Sequence, residues 1–112
     1  MQQEGNTYYK NKKYKQAIKA YTEALQNTKE ITHILLSNRS AAHIGAEKIP
    51  EAINDAKKCI ELKPDWFRGY FRLGKAYLEE KNFTDAYVNF LYSNKLERSK
   101  ETLEQIRQLE SK

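Results

Sequence analysis

The sequence contains little that could staple, span or interrupt a fold. Its single cysteine, Cys59, allows no internal disulfide and no cysteine metal cluster. His33 and His43 have no Cys, Asp or Glu at metal-ligand spacing, so neither a metal nor another cofactor is expected. Apolar runs are only a few residues long, too short for a membrane-spanning helix. After Met1 the chain reads Gln2-Gln3-Glu4 with no apolar stretch behind it, so no signal peptide is expected. There is no phosphate-cradling glycine loop, no nucleophile motif and no framed carboxylate pair, which argues against an enzyme. With only two prolines and four glycines in 112 residues, the chain favours long regular elements.

What is present points to helices. Lys, Glu, Ala and Leu are abundant, and all are good helix formers. Aromatic residues make up 12% of the chain, too many for a disordered segment, and the length suits one domain with a core of its own. Lys and Arg number 20 against 15 Asp and Glu, a formal charge of +5. That excess alone is compatible with nucleic acid, a membrane surface or any acidic partner. Both signs are spread along the chain, however, and no long basic block or aromatic RNA-binding motif appears, so nucleic acid is the weaker reading.

A repeat organises the chain. Gly5, Tyr8, Ala17 and Ile18 form a frame that falls on Ser40, His43, Ala52 and Ile53 after a shift of 35. A further shift of 34 places it on Gly74, Tyr77, Ala86 and Tyr87. Three residues before each frame Ala stand Tyr14, Ile49 and Phe83; four after stand Tyr21, Ala56 and Phe90; seven after stand Ala24, Cys59 and Ser93. Such a frame describes a pair of helices, A and B. A small residue midway along helix A admits its neighbour, and a ring on helix B lies one turn beyond the crossing Ala. Pro64 ends the second copy and Pro50 opens its helix B, where a missing N–H costs nothing. Helices are therefore expected near residues 1–11, 13–27, 33–46, 50–62, 67–80 and 83–96. A seventh is expected near 100–110, N-capped by Ser99. Its stripe of Leu103, Ile106 and Leu109 would cover the last repeat.

Tyr8, Tyr14, Tyr21, Tyr77, Phe83 and Phe90 are expected as core rings, and Trp66 at the junction into the fifth helix. His43 is expected as a satisfied packing residue and Cys59 as an inert interior one.

The frame resembles the tetratricopeptide repeat, whose period is about 34 residues. The resemblance covers nearly the whole chain. It implies an all-α, right-handed superhelical solenoid of three helix-turn-helix repeats with a C-terminal capping helix. Repeat one would span about 1–31, repeat two 33–66, repeat three 67–98 and the cap 99–111. Three segments are similar to one subclass, the carboxylate-clamp domains of co-chaperones: Glu4-Gly5-Asn6-Thr7-Tyr8-Tyr9, Ser37-Asn38-Arg39-Ser40-Ala41-Ala42, and Lys63-Pro64-Asp65-Trp66-Phe67-Arg68-Gly69-Tyr70 with Arg72. That subclass binds the acidic Glu-Glu-Val-Asp tails of seventy- and ninety-kilodalton heat-shock chaperones through Lys, Asn, Asn, Lys and Arg. Asn6, Asn38 and Arg72 match the pattern. Arg68 stands where the second Lys is usual, and Gln2, which is uncharged, where the first is.

On this resemblance the A helices line a concave groove. Gln2, Asn6 and Tyr9 would face it from the first copy, Ser37, Asn38, Ala41 and Ile44 from the second, and Arg68, Phe71, Arg72, Lys75 and Leu78 from the third. Asn amides donate without a long arm, and Arg forks grip carboxylates at two points. Ala41, Ile44 and Leu78 could form a pocket for the Val of a tail, and Lys10 or Lys75 could offset the missing charge at Gln2. The implied protein is a cytoplasmic or nuclear adaptor, either a monomer or a domain of a larger protein, with no nucleic-acid or membrane partner. Two alternatives stay open: a scaffold that binds another partner protein without a clamp, and RNA binding.

Overall fold

The computed structural model describes residues 2–111. They form seven helices: α1 (Gln2–Lys10), α2 (Tyr14–Asn27), α3 (Thr32–Gly45), α4 (Ile49–Leu62), α5 (Phe67–Glu79), α6 (Phe83–Leu96) and α7 (Lys100–Glu110). The expected spans agree to within two residues at each end, except that Met1 lies outside the described residues. The helices pair as α1/α2, α3/α4 and α5/α6, each pair packs on the next, and α7 closes against α6, giving a body of 40 × 26 × 23 Å.

The small-residue and ring positions meet as the repeat frame requires. A Cβ added to Gly5 would lie 2.6 Å from Cδ1 of Tyr21, and one added to Gly74 would lie 2.7 Å from Cε1 of Phe90. Neither is a distance that carbon atoms tolerate, so each ring demands a glycine opposite. The second repeat has Ala56 in place of the ring, which leaves room for a side chain on helix A. Ser40 fills it, and its hydroxyl donates to the Ala52 carbonyl at 2.8 Å. The serine at the frame position held by Gly5 and Gly74 in the other repeats is thus matched by the missing ring. Cys59 Sγ and Ser93 Oγ occupy one frame position and both donate to the start of their own helix A, at His33 O and Phe67 O. Burial pushes the Cys59 thiol up to about 11, so it stays a thiol and unreactive, as expected.

Each turn from helix A to helix B passes through one left-handed residue: Lys12 (φ 60°), Glu47 (φ 62°) and Lys81 (φ 64°). The N–H of the following residue reaches back to Tyr8 O, His43 O and Tyr77 O respectively, which closes each helix A. Asn82 caps α6 by accepting from the Asp85 N–H, and Ser99 caps α7 by accepting from the Thr102 N–H at 3.1 Å. Trp66 sits just before α5, with its ring edge-to-face on His33 at 5.1 Å, at the expected junction.

Two expectations need correction. Phe83 is 45% exposed rather than a core ring. Its counterpart Tyr14 packs against Gly45 of the next helix A, but no fourth helix A follows α6, and α7 covers that end only in part. His43 is buried yet not fully satisfied: Nε2 lies 3.4 Å from Asp55 Oδ2, while Nδ1 has no hydrogen-bond partner. Burial lowers its pKa below the usual imidazole value, against the opposing pull of Asp55. Asp55 itself is gripped at two points by Arg39, at 2.8 Å each, and Arg39 also donates to Thr22. This polar cluster ties α2, α3 and α4 together where the second repeat lacks a ring.

Candidate peptide-binding groove

Asn6 on α1 and Asn38 on α3 lie side by side, with Asn38 Nδ2 at 3.5 Å from Asn6 Oδ1. The same Asn6 oxygen accepts from the Tyr21 hydroxyl on α2 at 2.5 Å. Burial, helped by the nearby Tyr9, pushes the Tyr21 phenol up to about 12, so it remains a donor at any physiological pH. Both contacts occupy the acceptor end of the Asn6 amide. Its Nδ2 donors are left for a ligand. Tyr21 was legible as a core ring, but its hydroxyl is the part that matters here. The one sequence signal was that the ring positions hold Tyr21, Ala56 and Phe90, so only the first repeat carries an oxygen there.

Arg72 enters the same concavity from α5. Its Nε reaches Ser37 Oγ at 3.4 Å, and its guanidinium lies 5.5 Å from the Phe71 ring centre. No carboxylate of a described residue is within ion-pair distance of it. Burial, and to a smaller degree Arg68, lowers its pKa, yet a guanidinium stays charged at neutral pH. A half-buried cation with one long hydrogen bond has donors to spare. Together with Tyr9, Lys10 and Ala41, these residues line a cavity of about 430 Å³.

The structure therefore brings Asn6, Tyr9, Asn38, Ala41 and Arg72 together, and adds Lys10 to the rim. Ile44 and Lys75 line a second cavity next to it, again with Tyr9 and Ala41. Three expected site residues lie elsewhere. Arg68 is turned toward the cap, where its Nη2 lies 3.9 Å from Glu101 Oε1 and its guanidinium rests over Phe67. Phe71 is 4% exposed and packs with Ala86, Phe90 and Ile106, so it supports Arg72 from the core and does not face the groove. Gln2 is half-buried on α1 and lines neither cavity. Ser37, expected in the groove, is buried and serves as the acceptor for Arg72.

The family model described as "Tetratricopeptide repeat" matches residues 1–30. Heat shock protein STI1 of Saccharomyces cerevisiae is 36% identical over 108 residues, covering 93% of this chain and 18% of that protein. Protein STIP1 homolog of Dictyostelium discoideum is 41% identical over 83 residues, 74% of this chain and 14% of that protein. The chain thus spans less than a fifth of the length of these relatives. Among solved structures, the Sgt2 TPR domain from Aspergillus fumigatus superposes with a TM-score of 0.90 at 26% identity, over 98% of this chain and 74% of that one. The TPR2B domain of yeast Sti1, in its complex with pHsp70, superposes with a TM-score of 0.85 at 26% identity, over 96% and 91%. By its repeat frame, its seven-helix architecture and these likenesses, the chain belongs to the tetratricopeptide repeat family.

Proposed function

We propose that this domain is an adaptor that captures the acidic C-terminal tail of a chaperone of the seventy- or ninety-kilodalton class, in the cytoplasm. The observation that carries the reading is the convergence on one cavity of the Asn6 amide donors, Asn38 and a half-buried Arg72 that has no ion-pair partner among the described residues. A chain-terminal Asp offers two carboxylates close together, and each accepts more than one hydrogen bond. Asn6 and Asn38 supply neutral donors from two helices, and Arg72 supplies the charge from a third. Displacing the 3.4 Å contact to Ser37 costs little, whereas a charge-assisted bond to the ligand is roughly twice as strong as a neutral one. The complexes of the structural relatives support the choice of ligand: yeast Sti1 TPR domains stand in complexes with pHsp70 and with pHSP90.

Lys10 on the rim offsets part of the charge absent at Gln2, while Arg68 is held back by Glu101. The clamp is accordingly weaker than one built on five free groups. Titration of a labelled Glu-Glu-Val-Asp peptide, beside the same peptide amidated at its C-terminus, tests the reading. The free carboxylate is expected to bind more tightly. Equal affinity would favour a scaffold that grips another partner without a clamp, and absence of binding by both would sink the tail.

A further inference from the structure

We propose that the outer face of α6 is a self-association surface that seats a second copy of this chain, with the two α6 helices crossing antiparallel about a two-fold axis. The proposal is independent of the tail-binding reading, because Asn6, Asn38 and Arg72 stand on A helices and α6 is a helix B.

The inward side of α6 builds the fold: Ala86, Phe90 and Ser93 are buried. Its opposite side presents Val88, Leu91 and Tyr92, which are 41–53% exposed. The three fall at i, i+3 and i+4, so they share one face. A helix that is apolar on both sides has the pattern of one covered on both sides, yet α5 and α7 leave this face open.

The repeat frame shows that the fold does not ask for these residues. Val88 corresponds to Lys19 and Asn54, Leu91 to Thr22 and Lys57, and Tyr92 to Glu23 and Lys58. The sister B helices keep this face polar and the third does not. Tyr92 is also held in place by stacking on Tyr70 at 4.5 Å, so its ring loses little freedom when a partner covers it.

Charge and spacing select the occupant. Asp85 closes the face at its N-terminal end and Lys95 at its C-terminal end; both are exposed, and neither forms an ion pair with a described residue. Asp85 Oδ2 accepts from Asn82 Nδ2 at 2.7 Å, which leaves the carboxylate charge in place. The two are ten residues apart, roughly 15 Å along the helix, too far to pair with each other. Their placement is symmetric about Phe90: Val88 stands two residues before it and Tyr92 two after, Asp85 five before and Lys95 five after. Two antiparallel α6 helices with Phe90 at one level set Val88 of each copy on Tyr92 of the other. Leu91 then lies beside its own counterpart, and Asp85 of each copy is within reach of the long Lys95 side chain of the other. An isologous interface requires this reciprocity, in which residue i meets j and j meets i. A partner charged with one sign would satisfy one end of the face and be repelled at the other. One helix face is at the small end of specific interfaces, below about 1,200 Å², so the dimer is a weak one.

Sedimentation velocity on the 112-residue chain, from about 10 µM to about 1 mM, tests the proposal. The mass of the wild type should rise toward that of a dimer across this range. Val88→Lys/Leu91→Lys introduces the residues of Lys19 and Lys57, and should weaken association at least ten-fold with the circular dichroism unchanged. Should that pair unfold the domain, Tyr92→Glu, which introduces the residue of Glu23, takes its place with the same expected loss. Lys95→Glu sets like charges against each other at both ends of the interface and should weaken association about five-fold. Adding Asp85→Lys to it makes the ends complementary again and should restore the wild-type strength. A wild type that stays monomeric at the highest concentration overturns the proposal, as does association that the apolar-face variants leave unchanged. A loss on Lys95→Glu that the added Asp85→Lys does not recover overturns the antiparallel arrangement.

Discussion

Tyr21 and Phe90 fill the same place in the first and third repeats, each ring set against a glycine of helix A, Gly5 and Gly74. Both are fully buried, so the apolar contribution of each ring to the fold is alike, at about 1.5–3 kcal/mol. The difference is one oxygen. In the first repeat it reaches Asn6 and turns that amide's donors to the groove. In the third the ring ends in the core, and the groove chemistry falls to Arg72, propped on Phe71. The same packing frame thus carries two solutions for presenting a donor to one cavity: a neutral amide aimed by a hydroxyl, and a cation stacked on a ring.

The most damaging way to break this comparison is to destroy the packing that both repeats share. Gly74→Val should cost about 3 kcal/mol, because its Cβ alone would clash with the Phe90 ring; thermal unfolding measures the loss. Next, Arg72→Ala should weaken binding of a Glu-Glu-Val-Asp peptide more than tenfold by titration, with helical content unchanged. Unchanged binding would mean that the groove does not grip through that Arg.

A finer cut separates the oxygen from the ring. Tyr21→Phe turns the first repeat's ring into that of the third, and should cost about five-fold in tail affinity, the worth of roughly one hydrogen bond. Adding an oxygen by Phe90→Tyr should give no gain in affinity, since no groove amide is known to wait for it. If Tyr21→Phe binds as well as wild type, Asn6 does not need aiming. The smallest expected effect is at the cap. Glu101→Gln releases Arg68 from a long, largely exposed ion pair and should raise tail affinity about two-fold. A peptide titration at low salt, where screening is weakest, would show it best.

Much of this was legible from residue order. The helix spans, the small residues opposite rings and the Ser99 cap follow from a repeat read in one dimension, whereas the grouping of Asn6, Asn38 and Arg72 in one site is what the family resemblance implies. Arg68 shows where that reading stops. It lies one turn before Arg72 on the same helix face, which suggests a shared role, yet α7 brings Glu101 to one and not to the other. The family resemblance puts Phe71 on the groove wall, but the ring packs in the core between α5, α6 and α7. The repeat frame puts Phe83 inside because it shares the position of Tyr14 and Ile49, but α7 leaves it 45% exposed.

The sequence by itself determined the periodic features: which residues form helices, where the turns fall, and which positions must be small. These depend on neighbours three, four or about 34 residues away, and such spacings are written directly in the chain. Only the tertiary structure decided which polar groups of the groove are free. That depends on angstrom-scale distances between side chains of different helices: Tyr21 to Asn6, Glu101 to Arg68, and Arg72 to Ser37. Hydrogen bonds fade over an ångström or two, whereas a repeat frame places a residue only to within a helix face.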